Sequence, residues 1–89
     1  MEIIMTMPKK EVVRLLSYNP EWADVGRSII NELLSVFGNA AVDARHIGST
    51  AVENLKSRPI IDIAVAVRSL QEVAPYIRQL EEMDYFHRP

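Results

Sequence analysis

The sequence predicts an α/β (α+β) fold, helices packed on a sheet, and three observations predict it. Trp22, Val25, Ile29, Leu33 and Phe37 recur at three- and four-residue steps, the spacing of one helix face. Ile60–Val67 is an apolar run with little polar character on either face, the pattern of a central strand covered on both sides. Segments of these two kinds alternate along the chain, an order that packs helices against a sheet.

Taken in order, Glu11–Leu16 reads as a first strand, ended by Ser17-Tyr18-Asn19-Pro20. Asn19 suits a helix N-cap and Pro20 a first helical position, and Gly38-Asn39 stops that helix. Ala40–Ile47 reads as a second strand. Thr50–Lys56 reads as one or two helical turns, broken by Ser57-Arg58-Pro59. Ile60–Val67 is the third strand, with Ile60, Asp62, Ala64 and Ala66 on one face and Ile61, Ile63, Val65 and Val67 on the other. Ser69-Leu70-Gln71-Glu72 has capping-box spacing. It opens a helix that turns Leu70, Val73, Ile77, Leu80 and Met83 inward, with Pro75 kinking it or marking its first turn. Tyr85-Phe86 opens a further strand. Residues 1–10 read as an N-terminal extension and 11–89 as one domain.

The chain has 89 residues, 48% hydrophobic and 25% charged, with net charge −2 and no cysteine. That composition is of a globular domain without a disulfide framework or thiolate metal site. No cluster of Lys and Arg marks a nucleic-acid surface. No run approaches the roughly 20 apolar residues that span a bilayer, and the first residues lack the basic leader of a signal peptide. The expected location is cytoplasmic, away from membranes.

The densest chemistry lies in His46-Ile47-Gly48-Ser49-Thr50-Ala51-Val52 and, further on, Arg58-Pro59-Ile60-Ile61-Asp62-Ile63. Gly48 permits close backbone approach to a ligand, and Ser49 and Thr50 add hydroxyls. The amides opening a following helix attract anions. A strand-borne carboxylate beside such a turn is placed to hold a cation against a bound phosphate. Each feature also has a plainer reading. Gly48 serves a turn and Ser49 or Thr50 a helix cap. Asp62 pairs with Arg58 or His46, or accepts the turn amides, since burying it unpaired is costly. His46 is either a ligand contact or proton carrier, or a histidine satisfied by a carboxylate. Arg58 meets a phosphate or Asp62. Trp22 and Phe37 belong to the core, and His87 has no visible partner.

Together with Leu16-Ser17-Tyr18-Asn19-Pro20-Glu21-Trp22 and Leu55, these strings closely resemble the GrpB family, a branch of the nucleotidyltransferase superfamily with members fused behind dephospho-coenzyme A kinases. The resemblance runs from about Val12 to Tyr85. It implies a nucleotidyltransferase-like mixed sheet flanked by helices, here truncated to the N-terminal half of the family domain. It implies a nucleotide or other phosphorylated small molecule at His46, Gly48, Ser49, Thr50 and Arg58, with Mg²⁺ at Asp62, the candidate catalytic carboxylate.

Three departures qualify this, two in loops and the third that family domains usually continue for a further stretch of comparable size beyond the part resembled here. The family's Val-Pro-Gly-Leu is here Val52-Glu53-Asn54-Leu55, and its Gly-Tyr is Asp84-Tyr85. The superfamily places a second carboxylate two residues beyond the first, where this chain has Ala64, and a third on a later strand. With one carboxylate of the set, the expectation is ligand binding with weak or no nucleotidyl transfer. The alternative is a non-catalytic binding, folding-assistance or oligomerisation module. An open sheet edge near Tyr85 invites pairing between copies, so a homodimer or other homo-oligomer is expected.

Overall fold

The computed structural model describes residues 1–10 and 13–88. Strand β1 (Glu2–Met7) leads to helix α1 (Glu21–Phe37), strand β2 (Ala41–Ile47), strand β3 (Ile61–Val67), helix α2 (Leu70–Glu81) and strand β4 (Phe86–Arg88). The sheet order is β2-β3-β1-β4, antiparallel at every pairing. Each helix therefore joins two strands that run parallel with a third strand between them. Two such split units in the order βαββαβ make the ferredoxin-like arrangement. The α+β class is as predicted, and within it the sheet is antiparallel rather than of mixed direction.

The predicted first strand is the main correction. Glu11 and Val12 lie outside the described residues, and so does Pro89. Of the rest, Val13 and Leu15 are exposed, and Leu16 forms only an isolated bridge to Ser57. The place beside β3 is filled instead by Glu2–Met7, from the segment read as an extension. Its six residues alternate, Ile3 and Met5 buried beneath the helices and Ile4 and Thr6 on the opposite face.

One layer of helices covers one sheet face. Ile3, Met5, Ile61, Ile63, Val65 and Val67 meet Trp22, Ile29, Leu33 and Phe37 of α1 and Val73, Ile77 and Leu80 of α2. Leu33 and Leu80 are fully buried, each worth about 1.5–3 kcal/mol relative to exposure. Tyr85, also fully buried, donates its hydroxyl to Glu32 Oε1 at 2.5 Å and ties the end of α2 to α1. Burial, reinforced by that hydrogen bond to a carboxylate, pushes the Tyr85 phenol well above its ordinary pKa.

The helix predictions hold in outline. The Asn19 side chain accepts the Glu21 amide at 2.9 Å, and Ser69 Oγ accepts the Glu72 amide at 3.1 Å. Pro75 lies inside α2, which continues through it. Val25, Leu70 and Met83, expected inward, are about 40% exposed. A helix lying on a flat sheet buries only a narrow stripe, and on α1 the position facing β2 is taken by buried Gly26.

The other sheet face carries no helix among the described residues, contrary to the expectation of cover on both sides. Ala64 is nevertheless 2% exposed. It has no length to reach past its cross-strand neighbours Ile4 and Arg45, which shield it from either side. Ala64, which helped make β3 look doubly buried, is thus covered by the sheet itself.

Both loop departures fall on left-handed backbone. Asn54 has φ 64° and Asp84 φ 73°, a region that Asn and Asp tolerate better than other side chains and glycine occupies freely. Asp84→Gly is expected to raise stability by about 0.5–1 kcal/mol, the relief of roughly 1–2 kcal/mol of strain less the entropy glycine adds to the unfolded chain. Asp84→Ala is expected to lower it. Urea denaturation of the two variants checks both signs.

Candidate functional site

The connection from β2 to β3 builds the site. β2 ends at Ile47, opposite Asp62, and Gly48 follows with φ 80°. A Cβ on Gly48 would lie 2.8 Å from Asp62 Oδ2. The glycine is therefore required twice, for its backbone angle and for the approach of the carboxylate. Ser49–Ala51 then form a single 3-10 turn, shorter than the helix predicted over Thr50–Lys56. Val52 is already extended. A turn of this length has too few aligned peptides to attract an anion as a helix end does, so charge at the site must come from side chains.

Those side chains are present. Beside the turn lies a hollow of about 360 Å³. Lys56, Arg58 and Arg88 supply three cations against the one carboxylate of Asp62. Ser49 and Ser57 contribute hydroxyls, and Leu15 and Ile60 form apolar wall. The Ser57 backbone exchanges two hydrogen bonds with Leu16, at 2.8 and 2.9 Å. Its hydroxyl donates to the Arg58 carbonyl at 2.8 Å and bonds to the Ser49 hydroxyl. Ser57 is 4% exposed and pins the segment that presents Lys56 and Arg58. A second cleft of about 430 Å³, beside Met7, Trp22 and Ile61, is more apolar and bordered by Glu21 and Asp84. It contains none of the turn residues.

Asp62 is held from β1 and β4. Thr6 Oγ1, on the residue paired with Asp62 and 4% exposed, donates to Asp62 Oδ1 at 2.6 Å. Arg88 Nη2 lies 3.6 Å from the same oxygen. The first bond is partly buried and charge-assisted, a type worth about 1.5–3 kcal/mol. The second joins a half-exposed guanidinium and contributes less than about 1 kcal/mol.

His46 and Thr50 turn away from the hollow. His46 pairs with Ile63 on the helix-covered face, and its ring lies over Gly26 of α1, where an added Cβ would come within 2.6 Å of Nδ1. Thr50, 1% exposed, donates its hydroxyl proton to the Ile60 carbonyl at 3.1 Å. Having one proton to give, it must accept from His46 Nε2, 2.9 Å away. The relay clamps the turn to the strand lead-in. The structure thus brings Gly48, Ser49, Arg58 and Asp62 together and sets His46 and Thr50 behind them as support. Thr6, Lys56, Ser57 and Arg88 were not singled out in the sequence. Thr6 had one faint signal, a hydroxyl in an otherwise apolar run; Arg88 had none, since its approach depends on sheet order.

The donor set does not fit a magnesium ion by itself. The site offers one carboxylate, and one of its oxygens is engaged by Thr6 and Arg88. Ala64 occupies the same face two residues on, and the described residues contain no group of three metal-capable side chains.

Fold and site together define an α+β domain with a glycine-serine turn set against a strand carboxylate. The chain belongs to the GrpB family, whose model, described as GrpB protein, matches residues 12–89. It is 35% identical over 78 residues to UPF0157 protein BH1888 of Halalkalibacterium halodurans, covering 88% of this chain and 40% of that protein. It is 32% identical over 80 residues to the glutamate-rich protein GrpB of Alkalihalophilus pseudofirmus, covering 89% and 45%. A 60-residue stretch is 42% identical to the dephospho-CoA kinase of Mycobacterium bovis, 64% of this chain and 15% of the kinase. The chain thus spans less than half the length of these curated relatives. No solved structure matches it. No helix among the described residues is long and apolar enough to cross a membrane.

Two predictions follow from the geometry. Gly48→Ala is expected to destabilise by about 1–3 kcal/mol, because it combines backbone strain with a close contact to a carboxylate held in place; thermal denaturation measures this. The second concerns His46, whose pKa is lowered by burial, with the nearby Asp62 charge partly opposing the shift. Below pH 6.5 the unfolded chain therefore binds more protons at this residue than the folded one, and stability falls as pH drops through the folded pKa. In His46→Gln that component of the pH dependence is expected to vanish, as stability measured between pH 7.5 and 5 checks.

Proposed function

We propose that the hollow beside Gly48 and Ser49 binds the phosphate of a nucleotide or other phosphorylated small molecule. The observation that carries the reading is the convergence of Lys56, Arg58 and Arg88 on a hollow of about 360 Å³ beside Ser49. Small-ligand sites occupy roughly 300–1,000 Å³, and guanidinium groups match phosphate oxygens in geometry as well as charge. Lys56 and Arg58 come from the loop before β3 and Arg88 from the edge strand β4, so the fold gathers like charges in one place. Their mutual repulsion is relieved only in part by Asp62, and an anion in the hollow relieves the rest.

The function proposed is binding. Transfer of a nucleotidyl group by paired metal ions needs carboxylates on both sides of the reacting oxygens, and Asp62 is followed on its face by Ala64. Isothermal titration with ATP, GTP, CTP and inorganic phosphate tests the reading. Arg58→Ala and Lys56→Ala are each expected to weaken ATP binding about tenfold, roughly 1.4 kcal/mol, with unfolding midpoints little changed. Absence of heat with all four ligands, in a folded sample, removes the proposal.

A further inference from the structure

Resting on that reading, we infer that the site takes its anion without a metal ion, and that Asp62 serves as the tether of Arg88 rather than as a ligand. A divalent cation between protein and phosphate requires carboxylate oxygens left free to face it. In this hollow one oxygen of Asp62 already receives the Thr6 hydroxyl at 2.6 Å and lies 3.6 Å from Arg88. Around it stand two further cations, Lys56 and Arg58. A divalent ion entering there meets three like charges for one opposite charge. A phosphate entering there meets the reverse.

The roles divide accordingly. Thr6 fixes the Asp62 carboxylate from the neighbouring strand. Asp62 then draws the Arg88 guanidinium, on the edge strand, over the hollow. Arg88 faces the ligand together with Lys56 and Arg58. Asp62 positions a binding residue, and it also sets a negative charge near the anion's place. The pair with half-exposed Arg88, at 3.6 Å, is a weak one, so repulsion of the anion by the Asp62 charge outweighs the tether and the net effect on anion affinity is unfavourable, while a metal-ligand role predicts the opposite sign.

The closing experiment uses that sign. ATP and inorganic phosphate are titrated into the unsubstituted chain and into Asp62→Asn and Arg88→Gln, once in EDTA and once in excess Mg²⁺. The expected result is ATP binding in EDTA, with affinity unchanged or lower in Mg²⁺. Asp62→Asn, whose side-chain carbonyl still accepts from Thr6, is expected to bind about three- to tenfold tighter after loss of a nearby like charge. Arg88→Gln is expected to bind about tenfold more weakly in EDTA. ATP binding that appears only with Mg²⁺, or that is lost in folded Asp62→Asn, overturns the inference and leaves the phosphate reading standing. Unchanged binding by Arg88→Gln also overturns it. Absence of binding under both conditions removes both. Should Asp62→Asn fail to fold, the comparison of EDTA with Mg²⁺ on the unsubstituted chain decides the matter.

Discussion

The register of β1 against β3, which sets Thr6 opposite Asp62, is the constraint on which the rest of the structure depends. A slip of one residue would turn Ile3 and Met5 out of the core and carry Thr6 beneath the helices. Asp62 would then lose its buried donor, and β4, which pairs with the far side of β1, would no longer bring Arg88 to the same place. Core packing and site geometry are thus fixed by one pairing. The apolar alternation of β1 opposes such a slip, because Ile3 and Met5 bury with Ile61, Ile63 and Val65 only while that face is kept.

Around that pairing, two glycines on α1 and after β2 admit polar groups to places a side chain would close. Gly26 leaves room for the His46 ring and Gly48 for the Asp62 carboxylate. The His46–Thr50–Ile60 relay then locks the turn to the strand that bears Asp62. The neutral imidazole suits this role. Its Nε2 proton is used by Thr50, and its Nδ1 lies over the Gly26 backbone, a place that disfavours a second proton as burial does.

Much of this was legible in the sequence, and the exceptions have physical causes. Both helices, their capping residues and strands β2 and β3 are written in local periodicity and in Asn19 and Ser69. The proximity of the Gly48-Ser49 turn to Asp62 follows from the two strands being joined by that turn. The place of β1 was hidden because Glu11–Leu16 and Glu2–Met7 are both short apolar runs, and only competition for the side of β3 separates them. The bare sheet face was misread because alanine looks apolar wherever it stands, although Ala64 needs only its strand neighbours to be covered. Arg88 and Lys56 could not be placed at all: their meeting is a product of sheet order, and a spacing of more than thirty residues between them carries no local signal. Conversely, the substitution of Asn54 and Asp84 for the family's glycines became intelligible only with their backbone angles in hand.

Helices on one side and the hollow on the other give the sheet two independent jobs. The residues that hold the fold together point one way, and those that would meet a ligand stand, with the anchored pair Thr6 and Asp62, on the opposite face or in the loops beside it. Exchanges among Lys56, Arg58 and Arg88 therefore leave the packed layer untouched. A scaffold divided in this way lets ligand preference drift from one relative to another while the architecture persists, which is how a single fold comes to host different activities.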